Sequence, residues 1–143
     1  MKRHPGLIQF SREHHPALVL AKRAQSMDNV SPEACTRLIA KVIQVFGDDL
    51  EPHFCAEEER LLPALRSVGH AAIVDRTLAE HAELRRLVAC LDVDNLSHFG
   101  KLLAAHVRFE ERELFPLAET VLAPDVLAHL EKEQPVLPFK CSS

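Results

Sequence analysis

Residues 53–63 read His53-Phe54-Cys55-Ala56-Glu57-Glu58-Glu59-Arg60-Leu61-Leu62-Pro63, and residues 106–116 read His106-Val107-Arg108-Phe109-Glu110-Glu111-Arg112-Glu113-Leu114-Phe115-Pro116. Each stretch has a His, a Glu four positions on, a second Glu beside it, then Leu and Pro at matching offsets. On an α-helix, residues i and i+4 stand one above the other on the same face, about 6 Å apart along the axis. Each copy therefore aims an imidazole and a carboxylate at one point. Two such helices facing each other supply two nitrogens and two carboxylates to a shared interior site.

The rest of the chain supports helices around that site. Apolar residues recur at helical spacing almost throughout, and no segment alternates like a strand. A first helix is expected from about Ser11 or His14 to Met27, closed by Asp28-Asn29, with Phe10, His14, Ala17, Leu18 and Ala21 inward and Pro16 near its first turn. Ser31-Pro32 is an N-cap followed by proline at the first helical position. The second helix then runs to about Arg66, and Gly47 and Pro52 predict a kink or break near residues 47–52. A third helix spans about His70 to Leu91 on Val74, Leu78, His81, Leu84, Val88 and Leu91, and a fourth about Leu96 to Leu122. Pro124-Asp125 opens a short fifth helix to about Lys132, and the tail from Gln134 to Pro138 reads as irregular. The expected fold is all-α: an up-down-up-down antiparallel four-helix bundle with a short C-terminal helix, helices two and four being related by a pseudo-two-fold axis. Residues 1–143 read as a single domain, with the bundle at about 7–122 and the short helix and tail at 123–143.

Composition narrows the function classes. With 17 Lys and Arg against 21 Asp and Glu, there is no basic excess to neutralise phosphates, which argues against a nucleic-acid partner. No apolar run is long enough to span a membrane. Lys2 and Arg3 are not followed by an apolar signal core. Cys35, Cys55, Cys90 and Cys141 have no C-x-x-C spacing and read as reduced thiols of a cytoplasmic protein.

The two His/Glu pairs fall on the apolar stripe of their helices, where an unpaired carboxylate beside an imidazole is costly unless it is paired or metal-bound. The other two helices add one inward histidine each. Leu78 and Leu84 flank His81, while Phe10 and Leu18 flank His14; His15 competes with His14 but shares a face with Arg12 and Lys22. The candidate ligands are thus His14, His53, Glu57, His81, His106 and Glu110. Four imidazoles and two carboxylates suit iron, manganese or zinc. Six side chains exceed the four of a structural zinc site, so two ions bridged by both carboxylates fit better. His4, His70, His98 and His129 read as surface residues, and Glu58, Glu59, Glu111 and Glu113 as a solvated face. Cys55, two residues from His53, points away from the ligand face.

On Arg12-Glu13-His14, His53-Phe54-x-x-Glu57-Glu58, Ala79-Glu80-His81 and His106-x-x-Phe109-Glu110-Glu111-x-x-Leu114-Phe115-Pro116, the chain resembles the hemerythrin and HHE cation-binding family across about residues 7–120. The resemblance implies a four-helix bundle with a non-haem di-iron centre: two iron ions (Fe2+/Fe3+, oxo- or hydroxo-bridged). His14, His53, His81 and His106 would be terminal ligands, and Glu57 and Glu110 bridges. It implies a cytoplasmic protein that binds or senses dioxygen, nitric oxide or redox state, with a small diatomic molecule (O2 or NO) as partner. The alternatives are an enzyme or iron donor (peroxide or nitric oxide turnover, iron–sulfur cluster repair) and a structural cation-binding bundle. One departure stands out. Oxygen-carrying members have a His-x-x-x-His pair on the third helix, and here Thr77 and Arg85 flank His81 at four residues on either side.

Overall fold

The computed structural model describes residues 3–27 and 30–133, residues 131–133 by backbone alone. Asp28-Asn29, the tail from Gln134 onward and Cys141 lie outside the described residues. Helix α1 runs Pro5–Gln25, starting ahead of the expected Ser11. The reason is a cap that sequence rules do not favour: the His4 ring Nδ1 accepts from the Gly6 N–H at 2.9 Å, and Pro5 occupies the first turn, where a missing N–H costs nothing. Pro16 therefore lies inside the helix rather than near its start. Helix α2 spans 32–67, opened by the Ser31 hydroxyl accepting from the Ala34 N–H at 3.2 Å. Helix α3 is Ala71–Ala89, α4 spans 96–121 and α5 is Pro124–Glu133.

Three turns of α2 and α4 are π-helical: Phe46–Leu50, Glu57–Leu61 and Glu110–Leu114. Each is closed by an i→i−5 bond, from the Glu51 N–H to the Phe46 carbonyl, Leu62 to Glu57, and Phe115 to Glu110. Each ends two residues before a proline: Pro52, Pro63 or Pro116. A proline ring crowds the carbonyl four residues back and offers it no N–H. Widening the preceding turn by one residue relieves both problems without ending the helix. The kink expected at 47–52 is thus a π turn, and the two further π turns begin at Glu57 and Glu110 themselves.

The helices form an antiparallel bundle in which α1 packs on α4, α4 on α3, α3 on α2 and α2 on α1, while α5 lies against the start of α1. Gly100 permits the close α1–α4 approach, since a Cβ there would lie 2.6 Å from the Ala21 carbonyl oxygen. Two apolar clusters fill the interior. One gathers Leu20, Leu38, Val42, Phe54, Leu84 and Leu103, the other Leu7, Phe10, Leu61, Val74, Phe109 and Leu114. On every long helix the change from one cluster to the other falls at the inward histidine or within three residues of it, so the polar site sits between two apolar plugs. The inner face of α3 is Val74, Thr77, His81, Leu84 and Leu87. Leu78, expected inward, is 36% exposed, because one residue past Thr77 turns the side chain by about 100°.

No described helix is long and apolar enough to cross a membrane. Cys35 and Cys90 are free thiols as expected, whereas Cys55 is disulfide-bonded. Spacing along the sequence does not reveal which cysteines meet in space.

Candidate metal centre

All six residues expected at the site converge in the middle of the bundle, each 3% exposed or less. They form two groups that share both carboxylates: His14, His53, Glu57 and Glu110, and Glu57, His81, His106 and Glu110. Within each group the potential ligand atoms lie within 4.8 Å of one another. His15, the competitor on α1, is exposed.

The carboxylates are oriented so that each gives one oxygen to each group. Glu57 places Oε2 3.2 Å from His53 Nε2 and Oε1 3.0 Å from His81 Nε2. Glu110 places Oε1 2.8 Å from His14 Nε2 and Oε2 3.1 Å from His106 Nε2. Despite these distances, Nε2 of His53, His81 and His106, both oxygens of Glu57 and Oε2 of Glu110 make no hydrogen bond. His14 Nε2 and Glu110 Oε1 are hydrogen-bonded at 2.8 Å, whereas these other atoms aim at common points between them rather than at each other. Buried polar atoms left in this way are costly, and a cation at those points removes the cost. The nitrogen and oxygen donor set fits iron, manganese or zinc.

The outward nitrogen of every ring is engaged as well, and always by a carboxylate from the next helix. His14 Nδ1 meets Glu111 of α4 at 2.6 Å, and His106 Nδ1 meets Glu80 of α3 at 2.7 Å. His81 Nδ1 meets Glu58 of α2 at 2.6 Å, and His53 Nδ1 meets Glu13 of α1 at 2.9 Å. The four pairs run round the bundle in one sense and close on themselves. With Nδ1–H donating to a carboxylate, the Nε2 lone pair is left facing inward, the tautomer a metal ligand needs. This corrects the reading of Glu58 and Glu111 as solvated surface; Glu59 and Glu113 are exposed as expected. Glu13 and Glu80 carry the same role and were not singled out from the sequence. The available signal was adjacency: each outer carboxylate neighbours an inner residue in sequence, which turns it about 100° toward the adjoining helix.

Charge in the cluster follows from this arrangement. Burial works against protonated imidazoles, but the surrounding carboxylates outweigh it. His81 is raised to about 10 by Glu110, Glu57 and Glu58, and His106 to about 9 by Glu110 and Glu80. His14 and His53 move the same way. Burial would raise Glu110, yet His106, His14 and His53 hold it well below the usual carboxylate range. A field that draws protons onto these rings draws a cation to the same nitrogens.

The histidines read as surface residues play no part in the cluster; His98 is exposed and His4 caps α1. Thr77 is fully buried one turn from His81, and its hydroxyl donates to the Ile73 carbonyl at 2.8 Å. No curated protein and no solved structure gives a significant match to the chain. The family model described as the Hemerythrin HHE cation binding domain matches residues 7–118. That span takes in all six buried His and Glu residues and all four outer carboxylates, and the chain belongs to the hemerythrin HHE cation-binding family.

Proposed function

We propose that the chain holds two iron ions between its four histidines and two shared carboxylates, and that this centre binds or senses dioxygen, nitric oxide or redox state. The observation that carries the reading is the orientation of Glu57 and Glu110, each with one oxygen toward each histidine pair. A single-ion site needs no such division. Bound there, a ferrous pair supplies reducing electrons and positions open to a small diatomic molecule. The chain's own residues set the conditions. The outer carboxylates hold each Nδ1–H and direct each Nε2 inward, where a bound cation would take the place of its proton. Phe54, Phe115 and the two apolar plugs exclude water from above and below. Thr77, with its hydroxyl turned back to Ile73, leaves the α3 side of the His81/His106 group without a further side-chain ligand.

The test is metal analysis of protein purified without oxygen, followed by air exposure in a spectrophotometer. Two irons per chain and a new near-ultraviolet charge-transfer band on oxidation are expected. Iron saturating at one ion per chain, or a protein that retains only zinc and shows no change in air, overturns the reading in favour of a structural cation.

A further inference from the structure

The four outer carboxylates are not held alike. Glu58 is gripped by Arg85 at 2.8 Å, and Arg85 is itself fixed by Glu51 at 2.7 Å. Glu80 is held by Arg76 at 3.0 Å, whose guanidinium lies 3.9 Å from the centre of the Phe109 ring. Glu111 takes Arg3 at 3.1 Å and the Ser11 hydroxyl at 2.8 Å. Glu13 receives, besides His53, only the Gln9 amide at 3.3 Å, and no arginine or lysine among the described residues pairs with it. Its side chain is 39% exposed, against 20% for Glu58 and 22% for Glu80.

Sorted by histidine pair, the difference is systematic. Both outer carboxylates of the His81/His106 half are clamped by arginine, and His81 is stacked on Phe54 at 4.0 Å. The His14/His53 half has one clamped and one loose carboxylate, and its ring stack, His14 on Phe115, is wider at 5.4 Å. We infer that the two halves bind cations unequally: the His81/His106 half fills first and retains its ion, and the His14/His53 half is the exchangeable one, opening at the Glu13 corner. The inference rests on the two-cation reading of the cluster.

The physical cause lies outside the inner residues, because Glu57 and Glu110 each turn one oxygen to each half. A histidine offers its Nε2 lone pair inward only while its Nδ1 proton is engaged. A clamped carboxylate holds the ring in that state, whereas a loose one lets it rotate or change tautomer. A competing effect exists, since an un-neutralised carboxylate raises the donor strength of its imidazole more than one shared with arginine. Water around a group as exposed as Glu13 screens that gain, and nothing compensates the lost orientation. Glu13 is thus a positioning residue acting through His53.

Zinc is the probe, being diamagnetic and redox-inert. Metal-free full-length protein with 15N-labelled histidine is titrated with zinc, and the Nε2 resonances are followed by NMR. The first equivalent is expected to move His81 and His106, the second His14 and His53, with dissociation constants about tenfold or more apart. Glu13→Ala is expected to weaken the second step by about 10–100-fold and leave the first within about twofold. Glu13→Gln, which keeps an oxygen acceptor for Nδ1–H, restores most of the loss; general destabilisation would give no such rescue. Glu80→Ala is expected to weaken the first step instead. Both pairs moving together, His14 and His53 moving first, or Glu13→Ala weakening the two steps alike overturns the inference. Saturation at one zinc per chain with all four histidines shifted removes the two-cation reading itself, an outcome distinct from the others.

Discussion

The stretches 53–63 and 106–116 put the same donors at the same offsets and widen into a π turn at the same residue, yet their surroundings differ. The residue after the first histidine is Phe54, which lies flat on His81; its counterpart Val107 stacks on nothing. Near the other end, Phe115 lies against His14 where the first copy has Leu62. The adjacent carboxylates also differ in their anchors: Glu58 is held from α3 by Arg85, and Glu111 from the start of the chain by Arg3. Donor geometry is therefore a local property, fixed by a His-x-x-x-Glu turn and the proline beyond it. The firmness with which a donor is held comes from other helices, which the repeat does not encode.

The largest effect tests the equivalence of the copies. Glu57→Ala and Glu110→Ala each remove an oxygen from both ion positions, and each is expected to weaken binding of both ions by more than about a hundredfold. That exceeds the roughly 10–100-fold expected of Glu58→Ala and Glu111→Ala, which act only through one imidazole. Equilibrium dialysis with ferrous ion measures all four. Glu57 and Glu110 variants that each lose a different single ion would show that the copies do not share their carboxylates.

Removing the metal asks whether both copies depend on it. At a free-ion concentration 100 times Kd, each bound ion stabilises the fold by about 2.7 kcal/mol, so two ions raise Tm by roughly 15–20 °C for a chain of this size. Calorimetry of the metal-free and loaded protein should show that difference. Coincident melting curves would mean that neither copy's buried donors need a cation.

The aromatic substitutions sharpen the contrast between copies. Phe54→Leu and Phe115→Leu both truncate fully buried rings and are each expected to cost about 1–3 kcal/mol. Phe54→Leu should cost about 0.5–1 kcal/mol more, because its stack is closer and its edge-on contact with Phe46 at 5.6 Å is tighter than the tilted Phe115–Phe10 contact at 6.2 Å. Urea unfolding of the metal-free variants decides the order, and equal losses would make the difference in stacking distance irrelevant.

The mildest probe is pH applied to the metal-free chain. His81 and His106 lie above the ordinary histidine value of 6.5, at about 10 and about 9. Their stabilising contribution is fully present below about 6.5 and is lost as pH rises through about 9 and then about 10. Tm of the metal-free protein should fall over that window, while the loaded protein, whose nitrogens carry a cation in place of a proton, should change less. A metal-free Tm that rises from pH 7 to 10 would contradict the charge arrangement described.

Much of the centre was legible in the sequence because helical period and chemistry agree there. His53, Glu57, His106 and Glu110 are polar residues on an apolar stripe, and so are His14 and His81. Glu13, Glu58, Glu80 and Glu111 were not legible. One position away from a ligand they look like solvated surface, and their role exists only once it is known which helices adjoin. The π turns at Glu57 and Glu110 were missed for a different reason. Pro63 and Pro116 signal a disturbed helix, but whether the backbone bends, breaks or widens depends on the packing on both sides. The early start of α1 depends on His4, whose ring nitrogen does the work usually done by a hydroxyl or carboxylate.

The circuit of histidine–carboxylate pairs also bears on the smallest unit that can build this centre. The α1–α2 hairpin holds the pair His53–Glu13 within itself, and the α3–α4 hairpin holds His106–Glu80. The remaining two, His14–Glu111 and His81–Glu58, cross between hairpins in opposite directions. Swapping one hairpin for the other carries each pair onto another of the four. The chain is in this sense a pseudo-dimer of two unequal hairpins joined by a short linker, and one hairpin alone contains one copy of each donor type in the circuit.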